Sequence, residues 1–156
     1  MYLNYFRVVD WDPLINLLEQ SIYAEEMVCS MSSELYHIPQ TMNLQGLNEM
    51  HEHLIHASYH RVSAAGSARR LKTGEQQQTL IDTLVACILN AERQDQQVRN
   101  GLQVMESAAS AEFKPFIQLI VQWQGQTESY LQQAKQYVSN VGITIPSNVG
   151  QQSGAY

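Results

Sequence analysis

Four of the five histidines and two glutamates fall in one short run, EMHEHLIHASYH, from Glu49 to His60. Imidazole and carboxylate groups three or four residues apart share a helix face, where pairs can chelate a metal ion. His53 and His56 have one such spacing, and His56 and His60 the other. Advancing about 100° per residue along a helix puts Leu44, Leu47, Leu54, Ile55, Val62 and Ala65 on one side. That side must face the core. Glu49, His53, His56 and His60 fall opposite, as a solvated face or a contact surface, with Glu52 near its edge. His51 falls at the centre of the apolar stripe.

The same projection finds one polar residue in each of three other apolar stripes. Glu25 lies among Trp11, Leu14, Leu18, Ile22, Val28, Cys29 and Tyr36. Asp95 lies among Leu80, Leu84, Ile88, Ala91, Val98, Leu102 and Met105. Thr127 lies among Phe116, Ile120, Trp123, Leu131, Ala134 and Val138. Folding the chain at turns near residues 40, 73 and 110 brings Glu25, His51, Asp95 and Thr127 to one level, within about 6 Å along the axis. Glu52, Glu92 and Glu128 reach that level from the stripe edges. A buried, uncompensated carboxylate costs several kcal/mol. A protonated His51, a bound metal or water in a central cavity would each make the layer tolerable. The metal reading takes Glu25, His51 and Asp95 as ligands, with Glu52, Glu92 or Glu128 completing the shell. Two carboxylates and an imidazole suit iron, manganese or zinc.

Four helical segments must position these residues. The first opens at DWDP, where Asp12 can cap and Pro13 suits the first helical position, and runs to about Tyr36. The second runs from around Thr41–Asn43 to about Leu71, continuous through Gly66. The third opens at TGEQ, where Thr73 and Gln76 have capping-box spacing, and runs to about Ala109. The fourth starts between Ser110 and Pro115 and ends near Asn140. Short joints imply an all-α, antiparallel four-helix bundle, up-down-up-down, over residues 11–140. An aromatic segment, 1–10, precedes it. A Gly-, Ser- and Pro-rich tail, 141–156, follows and is expected to be loose.

The bulk properties bound the function. At 156 residues the chain has room for one ordinary domain. Its net charge of −6 argues against nucleic-acid binding. No long apolar run predicts a membrane span, and MYLNYFRVVDWD lacks the pattern of a secretory signal. Cys29 and Cys87 lie about 13 Å apart by the same height count and do not pair, so a reduced, cytoplasmic protein is expected. Neither a Gly-rich phosphate loop nor a Ser-His-Asp signature is present. The basic run at Arg69, Arg70 and Lys72 reads as a solvated helix end.

The plan resembles the ferritin-like carboxylate proteins, which hold Glu and His ligands inside a four-helix bundle. Glu25, His51, Glu52, Glu92, Asp95 and Glu128 occupy comparable places. The chain departs from that family in having no Glu-x-x-His pair and no histidine on the fourth helix. Two functions follow. One is a non-catalytic interaction or assembly protein, a homo-oligomer or the partner of another protein, in which the ferritin-like fold survives without its metals. The other is a metal-binding bundle with oxidase or metal-storage activity.

Overall fold

The computed structural model describes residues 9–75 and 77–146. Most of the aromatic N-terminal segment, 1–8, and of the tail, 147–156, lies outside the described residues. Four helices run α1 (Asp12–Glu34), α2 (Leu47–Lys72), α3 (Gln78–Ala108) and α4 (Lys114–Asn140), with one 3-10 turn at Leu35–His37. Each helix packs on two neighbours in a square, α1 on α2 and α4, α3 on α2 and α4. The start of α1, the end of α2, the start of α3 and the end of α4 share one apolar cluster, which makes the bundle up-down-up-down. No described helix is long and apolar enough to cross a membrane.

The core follows a strict three-four spacing on every helix. Buried positions are Trp11, Leu14, Leu18, Ser21, Glu25, Val28, Ser32 and Leu35 along the first. Along α2 they are Leu47, Met50, Leu54, Ala57, Arg61, Ala64, Ala68 and Leu71. On α3, Leu84, Ile88, Ala91, Asp95, Val98, Leu102 and Met105 keep the spacing, and on α4 Ile117, Ile120, Gln124, Thr127, Leu131, Ala134 and Val138 do so. This alternation keeps one seam facing the bundle axis, as in coiled coils.

Two helix starts differ from the sequence expectation. Helix α2 begins at Leu47, after turns closed by Thr41, whose hydroxyl donates to the Leu35 carbonyl (2.8 Å), and by Gly46 at φ +91°. Helix α3 begins at Gln78. Thr73 ends α2 rather than opening α3: its backbone N–H donates to the Arg69 carbonyl, and Gly74 then turns the chain at φ +100°. At α1 the capping carboxylate is Asp10, which accepts from the Asp12 N–H (3.1 Å). Helix α2 is continuous through Gly66.

The stripe on α2 also differs. Ile55 and Val62 are solvent-exposed, and Ala57, Arg61, Ala64 and Ala68 take the core positions. Small residues there let α2 lie close to its neighbours. A close approach is marked by Gly101 of α3, where a Cβ would meet the Met50 Cβ at 2.7 Å.

Candidate functional site: a buried ionic layer

Arg61 enters the core midway along α2 and is fully buried. Its guanidinium donates to Glu25 through Nη1 and to Asp95 through Nη2. Its Nε donates to the Ser21 hydroxyl (2.7 Å), which in turn donates to the Thr127 carbonyl (2.7 Å). One side chain from α2 is thereby tied to α1, to α3 and, through Ser21, to α4. The planar fork of arginine suits this role, because it presents several donors in fixed directions and keeps its charge when buried. The Thr127 hydroxyl is occupied within its own helix by the Trp123 carbonyl (2.9 Å).

The layer divides the core. On one side lies an apolar cluster around Leu14, Leu18, Ala64, Ala68, Leu84, Ile88, Leu131 and Ala134. On the other lies a cluster around Val28, Leu47, Met50, Leu54, Val98, Leu102, Ile117 and Ile120. Both apolar surroundings withdraw water from the two carboxylates.

Burial is the dominant influence on both acids. It pushes Glu25 up to about 7, with the Asp95 carboxylate raising it further, against the Arg61 charge and hydrogen bonds from Ser58 and Arg61. Burial pushes Asp95 up to about 6, assisted by Glu128 and opposed by Arg61 and Gln124. One guanidinium balances one carboxylate, so a proton on the second makes the layer neutral. Asp95 Oδ1 and Gln124 Oε1 are both buried acceptors without a partner. Gln124 turns its Nε2 to Glu128 (3.0 Å). Arg99 holds the other oxygen of Glu128 at the α3–α4 edge (2.8 Å).

The residues expected to form a metal site are therefore distributed. Glu25 and Asp95 come together, but around Arg61. His51 lies ten residues before Arg61 on α2, about 15 Å along the axis. It is half-buried, stacks edge-on against Tyr36 (centroids 5.7 Å apart) and leaves Nδ1 without a partner. Glu52 is exposed, and Glu92 is bound at the α3–α4 edge by Lys135 (3.1 Å) and Gln132. Among the described residues no three His, Cys, Asp or Glu side chains converge to hold a metal ion. A centre built on Glu25, His51 and Asp95 does not fit this arrangement, because a guanidinium already stands between the two carboxylates and the imidazole is remote.

The remaining polar residues of the run point elsewhere. His53 Nδ1 meets the Gln94 side chain on α3 (2.8 Å), and His56 is exposed. His60 is half-buried, and burial, His56 and Arg93 hold its pKa below the usual imidazole value. Arg69, Arg70 and Lys72 pair with Glu19, Glu75 and Asp12. Cys29 and Cys87 are free thiols packed in opposite apolar clusters.

Sequence reasoning missed Arg61, Ser21 and Gln124. The signal for Arg61 was present in the spacing of Ala57, Ala64 and Ala68, which continues the run of Leu47, Met50 and Leu54 through position 61. Comparison with protein-family models, with curated proteins and with solved structures finds no match for the chain.

Proposed function

We propose that this protein is a non-catalytic interaction or assembly module whose core layer is structural. The observation that carries the reading is Arg61 standing between Glu25 and Asp95. A catalytic carboxylate or a metal ligand needs a free face toward substrate, water or metal. Here both carboxylates are turned onto a protein cation inside a packed core. A buried ion set is weak support for stability but a strong constraint on register. Sliding α2 by one heptad would bury Arg61 among leucines and leave both carboxylates without a cation. In this reading the resemblance to ferritin-like proteins is one of architecture, with an arginine supplying the positive charge that iron supplies there.

The test is metal analysis and light scattering on untagged protein dialysed against a weak chelator. The expected result is no stoichiometric iron, manganese or zinc, and a defined oligomer that chelator does not dissociate. About one equivalent of metal, lost in Asp95→Ala but kept in His56→Ala, would overturn the reading in favour of a metal-binding bundle.

A further inference from the structure

The outer face of α2 carries a second seam. Glu52, Ile55, Tyr59, Val62, Gly66 and Arg69 follow the same three-four spacing as the core, on the side turned away from the bundle. Ile55 is 57% exposed, Tyr59 69% and Val62 50%. Three large apolar side chains in one helical row are thus left half or more uncovered by the described residues. Gly66 stands in the row with no atom near where a Cβ would be, which leaves a notch.

The row is self-complementary when reversed. A two-fold axis crossing α2 between His60 and Arg61 pairs Glu52 with Arg69, Ile55 with Gly66, and Tyr59 with Val62. Opposite charges meet at both ends, a large side chain meets the notch, and an aromatic ring meets a β-branched residue. Beyond the charges, Asn48 meets Thr73, so the seam ends in polar residues. Glu52 has no ion-pair partner among the described residues. Arg69 pairs with Glu19 at 2.7 Å, with both side chains about half exposed. Such a pair contributes little and is readily shared with a second carboxylate. A closed two-fold contact of this kind uses one patch twice.

We propose that two copies of this chain associate through α2, antiparallel, along Glu52, Ile55, Tyr59, Val62, Gly66 and Arg69. The proposal rests on the assembly reading and names the surface that carries it. A single helix pair is a small interface, so affinity in the micromolar range is expected.

Sedimentation equilibrium of the full chain, from about 1 to 500 µM, tests the proposal, and circular dichroism confirms the fold of each variant. The wild type is expected to be in monomer–dimer equilibrium. Gly66→Leu fills open space in the monomer and favours helix, yet blocks the notch. It should weaken the dimer at least about 10-fold without unfolding the chain. Glu52→Arg should weaken it by about 10-fold, through two like-charged pairs. Adding Arg69→Glu to Glu52→Arg should restore dimerisation in the antiparallel arrangement, whereas in a parallel dimer Glu52 would face Glu52, so Glu52→Arg would exchange one like-charged pair for another and leave the affinity nearly unchanged. A monomer at every concentration overturns the proposal. An oligomer unchanged by Gly66→Leu also overturns it while leaving the assembly reading in place. Stoichiometric core metal overturns the assembly reading itself, so the two failures are distinct.

Discussion

Replacing Arg61 by Met keeps the length of the buried stem and removes the guanidinium. The packing loss is then small, and the effect falls on Glu25 and Asp95, both 2% exposed. Breaking a buried ion pair costs about 3–5 kcal/mol, because the abandoned charge stays in the core. The two carboxylates do not contribute twice, since one of them already binds a proton near neutrality. Both native pKa values lie above those of the unfolded chain. The folded state therefore binds more protons, and stability falls as pH rises through the window, about 4.5 to 7 for Glu25 and 3.8 to 6 for Asp95. Each pH unit inside a window removes up to about 1.4 kcal/mol per group. Without Arg61, which holds both values down, the windows extend upward. Arg61→Met should accordingly cost about 3–5 kcal/mol at pH 8 and about 1–2 kcal/mol at pH 5. Urea titrations followed by far-UV circular dichroism at pH 5, 6.5 and 8 measure this. The triple variant Glu25→Leu, Arg61→Met, Asp95→Leu should recover wild-type stability or exceed it. A loss under about 1 kcal/mol at pH 8, or an equal loss at pH 5 and pH 8, would refute the role given to the guanidinium.

Three further outcomes follow from other parts of the bundle. Gly101→Ala would set a Cβ 2.7 Å from the Met50 Cβ and 3.0 Å from its Cα, so the helices must separate. Thermal unfolding should show a loss of about 1–3 kcal/mol, whereas Gly66→Ala, in open space, should gain up to about 1 kcal/mol. The Cys29 thiol is pushed up to about 11 by burial and by Glu25 and Glu26, and burial also raises Cys87. Alkylation of Cys29 in the native protein at pH 8 should be roughly 100-fold slower than in urea. Fast native labelling of Cys29 would mean that its end of the bundle opens readily.

How far the site could be read from sequence depended on which residues dominated each stripe. On α1 and α3, Leu and Val residues outline the seam plainly, and Glu25 and Asp95 are buried where the pattern leaves them. On α2 the core is built from Ala57, Ala64, Ala68 and Arg61, while the larger Ile55 and Val62 face outward. Weighting by hydrophobicity turns that helix toward the wrong side and brings His51 to the centre. On α4 the same bias favours Trp123 over Gln124. Trp123 is an edge residue set against Tyr23 at 6.4 Å, and Gln124 is buried. The four-helix architecture was legible because short joints and long periodic segments admit few alternatives. Helix starts were less so, because Gly46 and Gly74 decide them through backbone conformation rather than polarity.

The division of the core also bears on how the molecule breathes. Neither apolar cluster shares a buried side chain with the other, so the bundle has two units of burial and not one. Water reaching the middle from either end would hydrate a guanidinium and two acids instead of uncovering hydrocarbon. That lowers the free energy of a half-open molecule relative to a bundle with a continuous apolar core. Amide exchange would then sort the backbone into two protected blocks, one around Leu18, Ala64 and Ile88 and the other around Leu54, Leu102 and Ile120. Partly folded chains with one block closed would be the natural intermediates of this fold.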